Sequence, residues 1–155
     1  MDSEKRLEDR VRVYSEIARQ IASLSKSSSQ KVGCIALKKD FTRIAAFGYN
    51  GSYKGAPINQ TTGTEEDSTE PGMSGFIHAE VNMITKFQER NPEDYIVLLT
   101  LSPCLMCTKI LINAGFNHIY WIDEYRNIDH LDILKDKDIT HGNLQLLIKH
   151  IKDGI

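Results

Sequence analysis

Ile96-Val97-Leu98-Leu99-Thr100-Leu101-Ser102-Pro103-Cys104-Leu105-Met106-Cys107, with Ile119-Tyr120-Trp121-Ile122 following in the same stretch, decides how this chain folds. The first residues form a short continuous apolar run, the pattern of a strand covered on both faces. Ser102 reads as an N-cap and Pro103 as a first helical residue. Met106, Ile110, Leu111 and Ala114 recur at helical spacing, and Gly115 stops the helix. Strand 96–100, helix 103–114 and strand 118–122 form a βαβ unit, so the two strands are parallel.

Outward from that unit, Leu7, Val11, Tyr14, Ala18, Ile21 and Ala22 predict an amphipathic helix over 4–24. Strands are expected at 32–37 and 43–49 around the turn Lys38-Lys39-Asp40, and a second helix at 78–89 with Val81, Ile84 and Phe87 inward. A helix near 129–137 and a last strand near 144–148 complete the pattern. The expected fold class is α/β: one domain over 1–155, three layers α/β/α, with a mixed five-stranded sheet flanked by helices. Residues 50–76, rich in Gly, Thr, Asn, Ser and Pro, form a long loop that fits a lid, an oligomer contact or a disordered insertion. Residues 138–155 read as a C-terminal extension.

Composition narrows the function. The chain has 155 residues, a net charge of −2 and 41% hydrophobic residues, the profile of an ordinary globular domain. No apolar run has the length to cross a bilayer, so no membrane partner is expected. The first ten residues, MDSEKRLEDR, lack the apolar core of a secretory signal, and the default compartment is the cytoplasm. Between Lys54 and Lys86 there is no Lys or Arg, while Glu65, Glu66, Asp67 and Glu70 cluster there. A polynucleotide partner is therefore not expected, because phosphate contacts call for a basic stripe. A small anionic substrate needs only one or two cations.

Three cysteines, two of them as Cys104-x-x-Cys107, suit reduced thiols and a metal better than disulfides. Cys34, inside Val32-Gly33-Cys34-Ile35-Ala36-Leu37, reads as a small buried hydrophobe. His78-Ala79-Glu80 precedes the cysteine pair. One histidine and two cysteines offer a zinc ion three ligands and leave the fourth position for water, the arrangement of a catalytic site. On a helix Cys104 and Cys107 share a face, in a first turn that favours thiolate. His78 and Glu80, two apart, serve one centre only at a helix entrance. The remaining histidines, His118, His130, His141 and His150, read as surface or strand-end residues. A purely structural zinc staple leaves Glu80 unexplained.

His-x-Glu followed by Pro-Cys-x-x-Cys is the signature shared by zinc deaminases. In that chemistry zinc activates a water for attack on an amidine carbon, Glu80 carries protons to the ring nitrogen and the leaving amine, and ammonia departs. Over about residues 10 to 135 the chain resembles the deoxycytidylate (dCMP) deaminases of the cytidine deaminase superfamily, in the short form of phages and bacteria. The resemblance rests on Val32-Gly33-Cys34-Ile35, Gly48-Tyr49-Asn50-Gly51-Ser52, His78-Ala79-Glu80-Val81-Asn82-Met83-Ile84, Thr100-Leu101-Ser102-Pro103-Cys104-Leu105-Met106-Cys107 and Ala114-Gly115.

The resemblance implies a cytidine deaminase-like fold and one zinc per chain, held by His78, Cys104 and Cys107, with Glu80 as proton shuttle. It implies that the Ala79 N–H binds the pyrimidine O2, that Asn50 binds the sugar hydroxyl and that Tyr125 lines the base pocket. Asn50-Gly51 is also a plain turn dipeptide, and Tyr125 also suits core packing. Lys26 or Lys31 is a candidate for the substrate phosphate, and both equally suit a solvated surface. Family members are commonly hexamers controlled by dCTP and dTTP as Mg2+ complexes, which makes Asn50, Gly51 and Lys54 candidate effector residues. Residues 51–76 carry no Cys or His, so a second zinc found in some relatives is not expected; Lys86 and Glu89 replace residues linked to effector response in others. Within enzymes, the alternatives are a nucleoside, guanine or transfer-RNA adenosine deaminase. The alternative outside enzymes is an inactive zinc or nucleotide-binding module.

Overall fold

The computed structural model describes residues 2–27, 30–55, 75–125 and 128–155. Most of the expected long loop, residues 56–74, lies outside the described residues. Ten elements follow in chain order: α1 (Asp2–Ala22), β1 (Gly33–Lys38), β2 (Ile44–Tyr49), α2 (Ala79–Ile84), β3 (Tyr95–Leu101), α3 (Leu105–Asn113), β4 (His118–Asp123), α4 (Asp132–Asp136), β5 (Thr140–Asn143) and α5 (Leu144–Lys152). The sheet runs β2-β1-β3-β4-β5. β1 is antiparallel to both β2 and β3, whereas β3, β4 and β5 are mutually parallel in that order. This is the expected mixed five-stranded sheet.

Strand alternation builds the three layers. Ile35, Leu37, Ile96, Leu98 and Tyr120 pack with Val11 and Ala18 of α1 and Leu147 of α5. Cys34, Ala36, Val97, Leu99, Ile119 and Trp121 face the other way, against Ala79 and Met83 of α2, Leu111 of α3 and Leu134 of α4. Every residue of β3 is buried, and Cys34 is fully enclosed, as its apolar neighbours implied. Full burial of each large aliphatic side chain here stabilises the fold by about 1.5–3 kcal/mol. Among the described residues, no helix is long and apolar enough to cross a membrane.

Several elements differ from the sequence expectation. α2 ends at Ile84, well short of Glu89. Past it Lys86 and Phe87 bond back to the third residue before them, and the chain turns away. The turn places the Phe87 ring edge-on to Tyr95 and Phe116, with centroids 5.1 and 5.0 Å away, and brings Glu89 to Arg43. α3 is capped by Cys104, whose sulfur accepts the Cys107 N–H, so Ser102 and Pro103 precede the helix instead of opening it. The expected helix over 129–137 is a 3-10 turn, Asp129–Leu131, leading into the short α4.

The strand expected at 144–148 is part of α5; the fifth strand is Thr140–Asn143. Asn143 decides this, because its side chain accepts the Leu146 N–H as an N-cap. Leu144, Leu147, Ile148 and Ile151 then fall on one helical face and cover the sheet beside α1.

Two glycines allow helices to lie directly on strands. A Cβ on Gly33 would come within 2.3 Å of the Ala18 carbonyl oxygen of α1. A Cβ on Gly48 would lie 2.4 Å from both the Ala79 oxygen and the Met83 nitrogen of α2. Backbone cannot yield as a flexible side chain can. Gly48→Ala is therefore expected to lose at least about 1–3 kcal/mol of unfolding free energy through overpacking. Gly51→Ala, whose Cβ would meet only the Tyr49 ring at 3.9 Å, is expected to stay within about 0.5 kcal/mol. Urea titration of the two variants against the parent chain checks both figures; equal losses would remove the close-approach explanation.

Candidate metal centre

α2 and α3 begin at the same end of the sheet. His78 precedes α2 in extended conformation (φ −68°, ψ 155°) and makes no side-chain capping bond to its own helix. Its imidazole Nδ1 lies 3.6 Å from Cys104 Sγ and 3.3 Å from Cys107 Sγ. All three donor atoms fall within 4.8 Å of one another, and this is the one such group of His, Cys, Asp and Glu among the described residues. A tetrahedral zinc with ordinary Zn–S and Zn–N bonds separates sulfur and nitrogen ligands by about 3.5–3.6 Å. The donor set thus fits zinc in both spacing and chemistry. His118, His130, His141 and His150 are not part of it.

The electrostatics point the same way. Cys107 is 1% exposed and Glu80 4% exposed, while His78 and Cys104 are half-buried. The Cys107 thiol donates to Cys104, and with His78 alongside this pulls the Cys104 thiol down to about 4. Cys107 is pushed well up by that same bond, by burial and by the Glu80 carboxyl facing it. Burial pushes Glu80 up to about 7, with the Cys104 charge adding to the rise. Behind Glu80, the Cys34 thiol is raised by burial first and then by Glu80 itself.

What positions His78 is the segment before it. Ile77 and Gly51 exchange backbone hydrogen bonds of 2.8 and 3.0 Å, an isolated antiparallel bridge that pins the end of β2 to the start of α2. Asn82 Nδ2 donates to the Tyr49 carbonyl at 2.9 Å, a second tie between the same elements. Sequence reasoning missed Asn82 as a positioning residue. A poor helix former in the middle of a short helix was the available signal.

The other expected site residues have distinct places. Ala79 opens α2, so its N–H has no acceptor within the helix. The buried Asn50 accepts from the Val32 N–H at 2.8 Å and donates to the Gln30 carbonyl at 2.8 Å. Its amide therefore clamps the start of β1, and one N–H and one lone pair remain for a ligand. Ser25 Oγ donates to the Asn50 carbonyl at 2.8 Å, which brings the loop carrying the exposed Lys26 to the same corner. Lys31 lines a cleft of about 340 Å³ with Arg19, Gln30, Thr100 and Asp123. Arg19, a second cation there, was not singled out in the sequence. Lys54 is exposed. Tyr125 is partly exposed, and its backbone N–H donates to Ser102 Oγ at 3.0 Å, just before the cysteine pair. Glu89 has a structural partner in Arg43, which also donates to Tyr95 Oη at 2.6 Å.

A three-layer α/β/α domain that gathers one imidazole, two thiols and a buried acid at paired helix starts belongs to the zinc-deaminase class of architecture. Comparison with known proteins makes the assignment specific: residues 9–122 match the cytidine and deoxycytidylate deaminase zinc-binding region, and the chain belongs to that family. A probable deoxycytidylate deaminase of Caenorhabditis elegans is 29% identical over 110 residues, covering 71% of this chain and 55% of the relative. The deoxycytidylate deaminase of Homo sapiens is 27% identical over 114 residues, covering 70% of this chain and 62% of its own. The chain thus spans a little over half the length of these curated relatives. The dCMP deaminase of cyanophage S-TIM5, solved in complex with dCMP and dUMP, superposes with a TM-score of 0.69 at 27% identity, covering 85% of this chain and 94% of that one.

The Asn50 clamp has a measurable consequence. Asn50→Ala leaves a backbone donor and a backbone acceptor without their partner, so it is expected to cost about 1–3 kcal/mol of unfolding free energy. An Asn50→Ala protein as resistant to urea as the parent would show that the amide carries no structural load.

Proposed function

We propose that this chain is a zinc-dependent deaminase that hydrolyses dCMP to dUMP and ammonia. The observation that carries the reading is the buried Glu80 carboxyl beside three converging zinc donors, an acid that a structural metal staple has no use for. His78, Cys104 and Cys107 would hold one zinc per chain. Zinc, when bound, would make water available as a nucleophile near neutral pH. Glu80 would accept a proton from the attacking water and pass it to N3 of the cytosine ring. It then moves a second proton to the amine leaving C4, so that water is consumed, ammonia is released and a carbonyl remains. Its position in the first turn of α2 keeps the carboxyl against the sulfurs and out of bulk solvent.

The rest of the substrate is assigned to the surrounding corner. The Ala79 N–H would bond the pyrimidine O2, the remaining valences of Asn50 the sugar hydroxyl, and Tyr125 would line the base pocket. Lys26, on the loop tied to Asn50 by Ser25, would meet the phosphate. The phage relative solved with dCMP and dUMP supports this substrate and product pair. By resemblance, regulation would come from dCTP and dTTP as Mg2+ complexes bound near Asn50, Gly51 and Lys54 in a homohexamer, acting in the cytoplasm.

Purified protein is expected to contain about one zinc per chain and to convert dCMP to dUMP, in keeping with a three-ligand catalytic site. Glu80→Gln should lower kcat by at least about 10²–10⁴-fold while leaving zinc bound. A panel of dCMP, CMP, deoxycytidine, guanine and a transfer-RNA stem-loop, each with and without dCTP and dTTP, checks the substrate. Deoxycytidine turned over in preference to dCMP would overturn the nucleotide reading, and near-normal activity in Glu80→Gln would overturn the mechanism.

A further inference from the structure

The Pro103 carbonyl stands one residue before the N-cap of α3, so it lies outside the helical ladder. The Cys107 N–H is aimed at Cys104 Sγ, 3.5 Å away. Pro103 has no N–H of its own, so main-chain bonding cannot hold the residue from the other side. The ladder begins at Cys104, whose carbonyl accepts both the Thr108 N–H at 2.9 Å and the Thr108 hydroxyl at 2.8 Å. Pro103 is buried, and a buried carbonyl needs a donor. His130 supplies one: its Nε2 lies 2.8 Å from the Pro103 oxygen.

The geometry of this contact matters because the Pro103 carbonyl belongs to the peptide that joins Pro103 to Cys104. Fixing that plane constrains the φ of Cys104 and so the direction of the Cα–Cβ bond that carries its sulfur. His130 comes from the 3-10 turn Asp129–Leu131, whose Leu131 is anchored in the core between the sheet and α3. Two further bonds join the same stretches: the Ser102 N–H donates to the Asp123 carbonyl at 2.8 Å, and Tyr125 N–H donates to Ser102 Oγ. The chain leaving β4 thus crosses the segment leading to Cys104 and is bonded to it at residues 102 and 103. His130 provides the bond at the residue next to the sulfur-bearing Cys104. The Nε2–H that it donates is present in the neutral imidazole with its proton on Nε2 and in the imidazolium alike.

We propose that His130 is a positioning residue for the metal centre: by bonding the Pro103 carbonyl it holds Cys104 in the orientation that zinc requires. The proposal rests on the reading of His78, Cys104 and Cys107 as zinc ligands. Partners one step outside a metal's own ligands hold those ligands in place, and their loss commonly weakens binding by about 10–100-fold. His130 would play that part for a cysteine through a peptide plane.

The test compares two substitutions of similar size, His130→Gln, which keeps a donor, and His130→Met, which has none. Zinc release to a coloured chelator is followed for both, alongside the sulfur-to-metal absorption band of the cobalt(II)-substituted protein and the separate values of kcat and KM for dCMP. His130→Met is expected to release zinc about 10–100-fold faster, to shift the cobalt band and to lose kcat with little change in KM; His130→Gln should stay within about threefold of the parent. Equal release rates for the two variants overturn the proposal. So does a His130→Met protein that is as destabilised when stripped of metal as when loaded, because that is loss of packing. A parent chain without bound zinc would bring down the metal reading itself, whereas a loaded, active parent with two indistinguishable variants would bring down only the role of His130.

Discussion

Two helix starts have to meet at one end of one sheet, and everything else about this domain follows from that meeting. A helix entrance is where side chains leave the axis in different directions and where backbone N–H groups favour negative charge. His78 uses the first property to reach across to the sulfurs while Glu80, two residues on, stays buried beside them. Cys104 uses the second, as the cap of α3 with the Cys107 N–H turned toward its sulfur. Neither helix is long, and α2 spans only six residues, so neither is stable by itself in water. Their placement comes from the sheet beneath them.

The sheet supplies that placement through close contact. Gly48 lets the backbone of α2 touch β2, and the Gly51–Ile77 bridge and Asn82 hold its entrance to the end of the same strand. β3, buried along its whole length, delivers Ser102 and the cysteine pair to the same edge. Like charge is then concentrated where solvent is scarce. Burial raises Glu80, and the Cys107–Cys104 bond lowers Cys104 while raising Cys107, with repulsion between the neighbouring charges adding to both upward shifts. A divalent cation relieves that conflict, and the spacing of the donors suits one.

Much of this was legible beforehand because it rests on local pattern. The apolar run of β3, the helical spacing after Pro103 and the glycine stop at Gly115 predict a βαβ unit without reference to anything distant. Leu144-Gln145-Leu146-Leu147-Ile148 is a short apolar run that suits a strand, and such runs do not distinguish strand from helix. The Asn143 cap and the available face beside α1 settle it as helix. Likewise α2 is shorter than the expected 78–89, although Val81, Ile84 and Phe87 fit a helical spacing. The contacts of Phe87 and Glu89 with Tyr95, Phe116 and Arg43 are long-range and outweigh local preference for a further turn. Asn50 is the subtler case. Its side chain reads as ligand or turn in the sequence, yet its hydrogen bonds go to residues 30 and 32, which no spacing rule connects to position 50.

Residue type and short spacing alone determined the layered α/β architecture and the parallel βαβ core, and singled out His-x-Glu and Cys-x-x-Cys as candidate ligand motifs, because each depends on neighbours within a few positions of one another. Only tertiary structure decided that His78 lies 3.3–3.6 Å from both sulfurs, that Cys104 rather than Ser102 caps α3, and that Asn50, Asn82 and His130 tie distant segments together around them. Apart from the local Cys104 cap, those contacts join positions far apart in the chain, and hydrogen bonds of that kind form only where packing of the sheet and helices has already brought their partners within reach.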